Sequence, residues 1–214
     1  MFGRKKAEEA AELAQEARAE WSERRAALAE WIEMAQTYEG DATADGIILK
    51  PGETVFASAS DCSLIEDRKG AGHWEGRTSG FSIPIGAGVR YRVGQTKGHY
   101  IQGSPIATAI DTGSVYVTDR RVVFAGSKQT RECLFDKLVA LSRDDTAGNT
   151  TLSVSNRQKP TVIHYGPKLA GWFGFRLELA LAHHRGNVPA LVDHLRQTLA
   201  SLEANPPSAL QNPG

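Results

Sequence analysis

The stretch GSVYVTDRRVVFAGSKQTRECLFDKLVAL, residues 113–141, decides the fold of this chain. Two short apolar runs, 114–118 and 121–125, flank the dipeptide Asp119-Arg120. Val, Tyr and Phe are good strand formers and Asp favours a tight turn, so the economical reading is a two-residue β-hairpin. After Gly126 and the polar SKQTRE, residues 131–141 alternate again and close in FDKLVAL, which predicts a third strand.

Working upstream, residues 47–59 read as a turn at Pro51-Gly52 followed by a strand through Val55 and Phe56, with 63–68 as its pairing partner. Residues 69–80, KGAGHWEGRTSG, hold many Gly and polar residues and predict a long hairpin loop or twisted strand ends, carrying His73 and Trp74. GAGVRYRVG, residues 86–94, predicts a two-faced strand: Val89, Tyr91 and Val93 alternate with Arg90 and Arg92. Two arginines about 7 Å apart on one sheet face can cradle a phosphate or carboxylate, joined by Lys97 and His99 if the chain doubles back through QTKGHY. The competing reading is an ordinary solvated strand face. The glycines lack the spacing of a dinucleotide fingerprint or a phosphate-binding loop and read as turns.

Downstream, residues 151–154 and 161–165, separated by SNRQKP, supply the last strands. Residues 169–185 predict a helix carrying Trp172, Phe173, Leu177, Leu179 and Leu181. A second amphipathic helix over 189–202 presents Leu191, Val192, Leu195, Leu199 and Leu202, and NPPSALQNPG reads as a disordered tail.

The N-terminal segment has a different character. Residues 5–39 are rich in Ala, Glu, Arg, Leu and Gln, with no Pro and no Gly, and predict a helix of about 35 residues and about 50 Å. A heptad places Trp21, Leu28 and Ala35 on one seam and Trp31 and Tyr38 on the other, with alanines filling the earlier positions. Trp21, Leu28 and Trp31 therefore form a face for packing on the body, on the second C-terminal helix or on a partner helix, and the first half is expected to project. Phe2, Arg4, Lys5 and Lys6 make a small cationic cluster, by itself a marginal membrane anchor at about 1 kcal/mol per basic residue.

At 214 residues the chain has room for one core plus appendages. The formal charge is zero, but residues 1–40 carry 6 Lys/Arg against 9 Asp/Glu, whereas residues 48–168 carry 16 against 11. The body is mildly basic. That suits an anionic partner and falls short of the basic stripe of a nucleic-acid binder, so no nucleic acid is expected. Cys62 and Cys133 stand alone in sequence and read as half-buried thiols of a reducing compartment. Neither a secretory leader nor a membrane span is predicted, which points to a cytoplasmic protein that touches a membrane only from outside.

The hairpin, a strand, Thr-Asp-Arg-Arg, a strand ending in Phe-Ala-Gly and then a run closing in Phe-Asp-Lys-Leu-Val-Ala-Leu, resembles the central motif of GRAM-like and bacterial pleckstrin-homology-like domains. The matching residues are Val117, Thr118, Asp119, Arg121, Val122, Phe124, Lys137 and Leu138. The resemblance covers about 30 residues, and GVRYRVGQTKGHY also looks like a feature of actinobacterial hypothetical proteins with this module. It implies an α+β fold: a pleckstrin-homology-like antiparallel β-barrel or sandwich capped by a C-terminal helix, with the long N-terminal helix and a second C-terminal helix as additions. Lipid-binding members hold inositol phosphates with basic residues around the first strand pair; the loop read as equivalent here, ASDCS, has no Lys or Arg.

The expected organisation is a long helix over 1–40, a linker over 41–46, the β-rich module with its capping helix over 47–186, a second helix over 187–204 and a tail over 205–214. No catalytic set, cofactor or metal site can be assembled by spacing, and His183-His184 near a helix end lacks metal-binding partners. The expectation is a non-catalytic binding module, not an enzyme, peripheral to an anionic membrane surface or bound to a protein, with Arg90, Arg92 and Lys97 as the anion-binding residues. The rival is a scaffold acting through oligomerisation of the N-terminal helix.

Overall fold

The computed structural model describes residues 2–41, 43–68, 74–84, 90–100 and 106–207; for residues 2–8, 10, 67, 68, 74–84, 90–100 and 106 the description is of the backbone. The chain forms two compact units. One unites the N-terminal helix with the chain from Val188 onward, and the other spans residues 39–187.

The helical unit pairs α1 (Phe2–Thr37) with α3 (Val188–Ala204). α1 runs 36 residues, about 54 Å, and from residue 4 onward it is carried by helix formers with no Gly or Pro. Leu28 and Ala35 of α1 and Leu191, Val192 and Leu195 of α3 are buried. Trp21 donates its indole N–H to the Leu202 carbonyl at 3.1 Å, and Arg25 pairs with Glu203 at 2.7 Å. The first bond is part-buried and contributes about 1 kcal/mol; the second is exposed and contributes less. Trp21 and Leu28 thus serve a helix of the same chain, and Trp31 is half-buried.

The larger unit is α+β. Seven strands, β7 (Leu138–Asp144), β8 (Asn149–Val154), β9 (Thr161–His164), β1 (Val55–Arg68), β4 (Ile106–Thr118), β5 (Arg121–Gly126) and β6 (Thr130–Leu134), pair antiparallel in that order. Among the described residues β6 and β7 do not pair with each other, so the sheet is not a closed barrel. A further hairpin, β2 (Trp74–Pro84) with β3 (Arg90–Tyr100), joins the β7 edge through one parallel bridge, Tyr91 to Leu141. Helix α2 (Pro167–His184) packs against β1 and β4 and buries Phe173, Phe175, Leu177, Leu179 and Ala180. Pro167 suits its first turn, and Gly186, at φ +62°, ends it by returning Asn187 N–H to the Ala182 carbonyl at 2.8 Å.

The predicted hairpin is β4–β5, with Val117 opposite Val122 and Asp119-Arg120 as its turn. Three other expectations are corrected, and one left open between loop and strand is resolved. Residues 55–68 are one strand, not two; it kinks where the register shifts between Ala59 and Cys62 and Asp61 takes φ +56°. ASDCS is that irregularity, and the connection between the first central strand pair is the long insertion carrying β2 and β3. Residues 74–80 are strand, because β3 supplies an unbroken antiparallel partner that outweighs their glycines. Residues 131–141 are two strands, split by a 3₁₀ turn at Phe135–Lys137 whose Phe135 is buried. His73 and residues 208–214, with most of the expected tail, lie outside the described residues.

Candidate functional site

The motif that carries the family resemblance does structural work. Thr118 at the end of β4 donates its hydroxyl to Glu53 at 2.7 Å and accepts the amide N–H groups of Arg120 and Arg121. Asp119 accepts the Thr54 amide, and Arg120 reaches the Gly52 carbonyl. Arg121, the first residue of β5, is 8 % exposed. Its guanidinium forks onto both oxygens of Glu53 at 2.7 and 2.8 Å and reaches Glu132 at 2.8 Å and the Ile48 carbonyl at 2.8 Å. Burial pushes the Glu53 carboxyl up, but bonds from Arg121, the Lys50 amide and Thr118, with the charge of Arg121, outweigh it and hold it below the usual range. The turn is a clasp for residues 48–54, with its cations spent on neighbours.

A second cluster anchors α2. The Arg143 guanidinium, buried, takes Asp145 at 2.7 Å and Glu178 at 2.8 Å, and lies where a side chain at Gly174 would stand. Tyr165 shares a 2.9 Å hydrogen bond with Thr150 and tilts against Phe173.

His184, on the last turn of α2, lies beside Ser155 and Asp136 in a groove of about 500 Å³. Its Nδ1 faces the Asp119 carbonyl and its Nε2 the Asp136 carboxylate, each at 3.0 Å. Neither nitrogen is free to take a proton from Ser155, so the three do not make a nucleophile and base. Among the described residues no group of three or more His, Cys, Asp or Glu is placed to hold a metal, and no helix is long and apolar enough to cross a membrane.

A groove in which cations outnumber carboxylates lies elsewhere. Leu64 and Glu66 from β1, Arg131 from β6 and the β8–β9 connection from Asn156 to Thr161 line a space of about 490 Å³. Three cations, Arg131, Arg157 and Lys159, face one carboxylate, Glu66. Arg131 meets Glu66 at 2.6 Å, with both side chains 27 % exposed. Arg157 donates to the Thr161 hydroxyl at 2.9 Å. Beneath them burial raises the Cys133 thiol above its ordinary value, against the lowering influence of Thr161 and Arg157. An arginine beside a neutral hydroxyl, a lysine in open solvent and a half-screened arginine together make a pocket suited to an oxyanion.

The predicted anion residues fall on the inserted hairpin. Arg90 and Arg92 open β3, opposite Pro84 and Ser82, and Lys97 pairs opposite Arg77 further along the same strand. Residues 90–100 run as one strand and do not double back, so about 17 Å of chain separates Arg92 from Lys97. Arg131, Arg157 and Lys159 carry no local signal of a site: Arg131 lies on a different strand, and the polar SNRQKP that holds the other two reads as an ordinary turn.

Comparisons with family models, with curated proteins and with solved structures return no match.

Proposed function

We propose that this chain is a non-catalytic binding module with a pleckstrin-homology-like sheet, and that its groove at Arg131, Arg157 and Lys159 engages an anionic ligand at a membrane surface. Three features support the architecture. Setting the inserted hairpin aside, the strand order places the first strand between a three-stranded meander (β4-β5-β6) and another (β7-β8-β9), with a helix following the last strand. The Thr-Asp-Arg-Arg turn joins two strands as the resemblance implies. The insertion occupies the connection after the first strand.

The observation that carries the functional reading is the three-to-one excess of cations in a half-enclosed groove, whereas the buried Arg121 and Arg143 are paired with carboxylates. Co-sedimentation with phosphatidylcholine vesicles, with and without phosphatidic acid, tests it. The full chain pellets only with the anionic vesicles, and Arg157→Gln/Lys159→Gln weakens this about thirtyfold, at about 1 kcal/mol per basic residue. Equal pelleting of the two proteins removes the groove. A loss confined to Arg90→Gln/Arg92→Gln/Lys97→Gln moves the site to the hairpin.

A second reading rests on α1. Trp21 meets Leu202 near the end of α3, so residues 2–20 extend about 28 Å beyond that contact. That projection supports self-association through the N-terminal helix. Light scattering on the full chain and on a variant lacking residues 2–18 tests it: a larger species that only the full chain forms is required.

A further inference from the structure

The anion-binding reading of the groove leaves one feature unused, the carboxylate already inside it. Glu66 stands on β1 and Arg131 on β6, two strands that do not pair, separated in the sheet by β4 and β5. Their side chains nevertheless meet at 2.6 Å in the groove, with each partner 27 % exposed. In the Arg121–Glu53 and Arg143–Glu178 pairs, by contrast, each partner is about a tenth exposed or less. Those pairs are sealed. The Glu66–Arg131 pair is open to the same space that Arg157 and Lys159 face.

We propose that Glu66 is an internal counter-anion: it occupies the Arg131 guanidinium when the groove is empty, and a phosphate group entering the groove takes that guanidinium over. This rests on the reading of the groove as an anion site and adds its ligand class and its specificity-setting residue. The chemistry follows from the donors. A guanidinium presents parallel N–H groups that match two oxygens of a carboxylate or of a phosphate, and a phosphate carries more charge and a third oxygen to meet Arg157 or Lys159. A monocarboxylate ligand has no such advantage over Glu66, so the resident carboxylate sets a threshold that favours polyvalent phosphate ligands. The phosphate can belong to a lipid headgroup or to a soluble phosphate ester; both offer the same atoms.

Because the pair is partly exposed, its loss changes the folded state little, and its effect is on occupancy. Removing the competing charge with Glu66→Gln keeps the size of the side chain. It is expected to tighten binding about three- to fivefold, the range of a partly exposed ion pair. The experiment is calorimetric titration of the full chain with inositol hexakisphosphate, and separately with acetate, in parallel with vesicle co-sedimentation using phosphatidic acid. Glu66→Gln binds inositol hexakisphosphate more tightly than the wild type, Arg131→Gln binds it more weakly, and Glu66→Gln/Arg131→Gln matches Arg131→Gln alone. Acetate binds none of them. Tightening seen with vesicles and not with the soluble ester assigns the phosphate to lipid, and the reverse assigns it to a soluble ligand. A wild type that binds while Glu66→Gln binds no better overturns the counter-anion role alone. A chain that binds neither probe in any of these forms overturns the anion site and the counter-anion together.

Discussion

Replacing Arg121 by methionine strips a side chain that makes four hydrogen bonds and leaves its partners in place. Glu53 is 3 % exposed, and its side chain keeps only the Lys50 amide and the Thr118 hydroxyl as donors. Methionine fills the space of the aliphatic stem, so the cost is mainly that of an uncompensated buried carboxylate, about 3 kcal/mol. For a chain of this size that lowers the melting temperature by about 6–12 °C. The pH dependence separates this cause from simple loss of packing. In the wild type the Glu53 and Glu132 carboxyls are both held below the ordinary value of 4.5. Their contribution is complete above that value and is lost as the pH falls through the depressed native one. In Arg121→Met, Glu53 has burial without its cation, so its carboxyl rises and protonation relieves the variant. The deficit of Arg121→Met, measured by thermal melts followed by circular dichroism, therefore narrows between pH 7 and pH 5. Adding Glu53→Gln recovers part of it at pH 7. A variant within about 2 °C of the wild type, or a deficit that is flat or widens toward pH 5, refutes the reasoning.

Three further outcomes follow from the same geometry. Gly174→Ala, which in a free helix stabilises by about 1 kcal/mol, lowers the melting temperature here because the new methyl group meets the Arg143 guanidinium; an unchanged or higher melting point counts against that clamp. Asp111 accepts the amides of Thr112, Lys128 and Gln129 and the Ser127 hydroxyl, so Asp111→Ala speeds amide exchange at Lys128 and Gln129 while Val123 in the neighbouring strand stays protected. Burial pushes the Cys62 thiol up to about 11 and raises that of Cys133, so at pH 8 neither reacts with a thiol reagent until the protein is unfolded in urea; rapid labelling of the native chain contradicts their burial.

The hairpin at Asp119-Arg120 was legible because turn chemistry and strand alternation agree within ten residues. The helices were legible for a similar local reason: each carries an unbroken run of helix formers or a clear stop, such as Gly186. What the sequence hid depends on partners far along the chain. The kink in β1 is a positive φ at Asp61 that local pattern cannot distinguish from a turn, so one long strand read as two. β2 carries glycines at positions 76 and 80, and only its register with β3 makes it a strand. Arg121 looked like a turn cation because Glu53 lies 68 residues away. The groove is hidden in the same way: Leu64, Arg131 and Lys159 share no local pattern and meet only once β1, β6 and the β8–β9 connection are in place.

Hydrogen–deuterium exchange of the full chain with and without phosphatidic acid vesicles tests the central claim, that the groove is where this molecule meets its ligand. Slower exchange is expected in residues 156–161 and at the start of β6, with α1 and the Asp119 turn unchanged. Protection confined to α1, or to β3 with residues 156–161 unaffected, contradicts it.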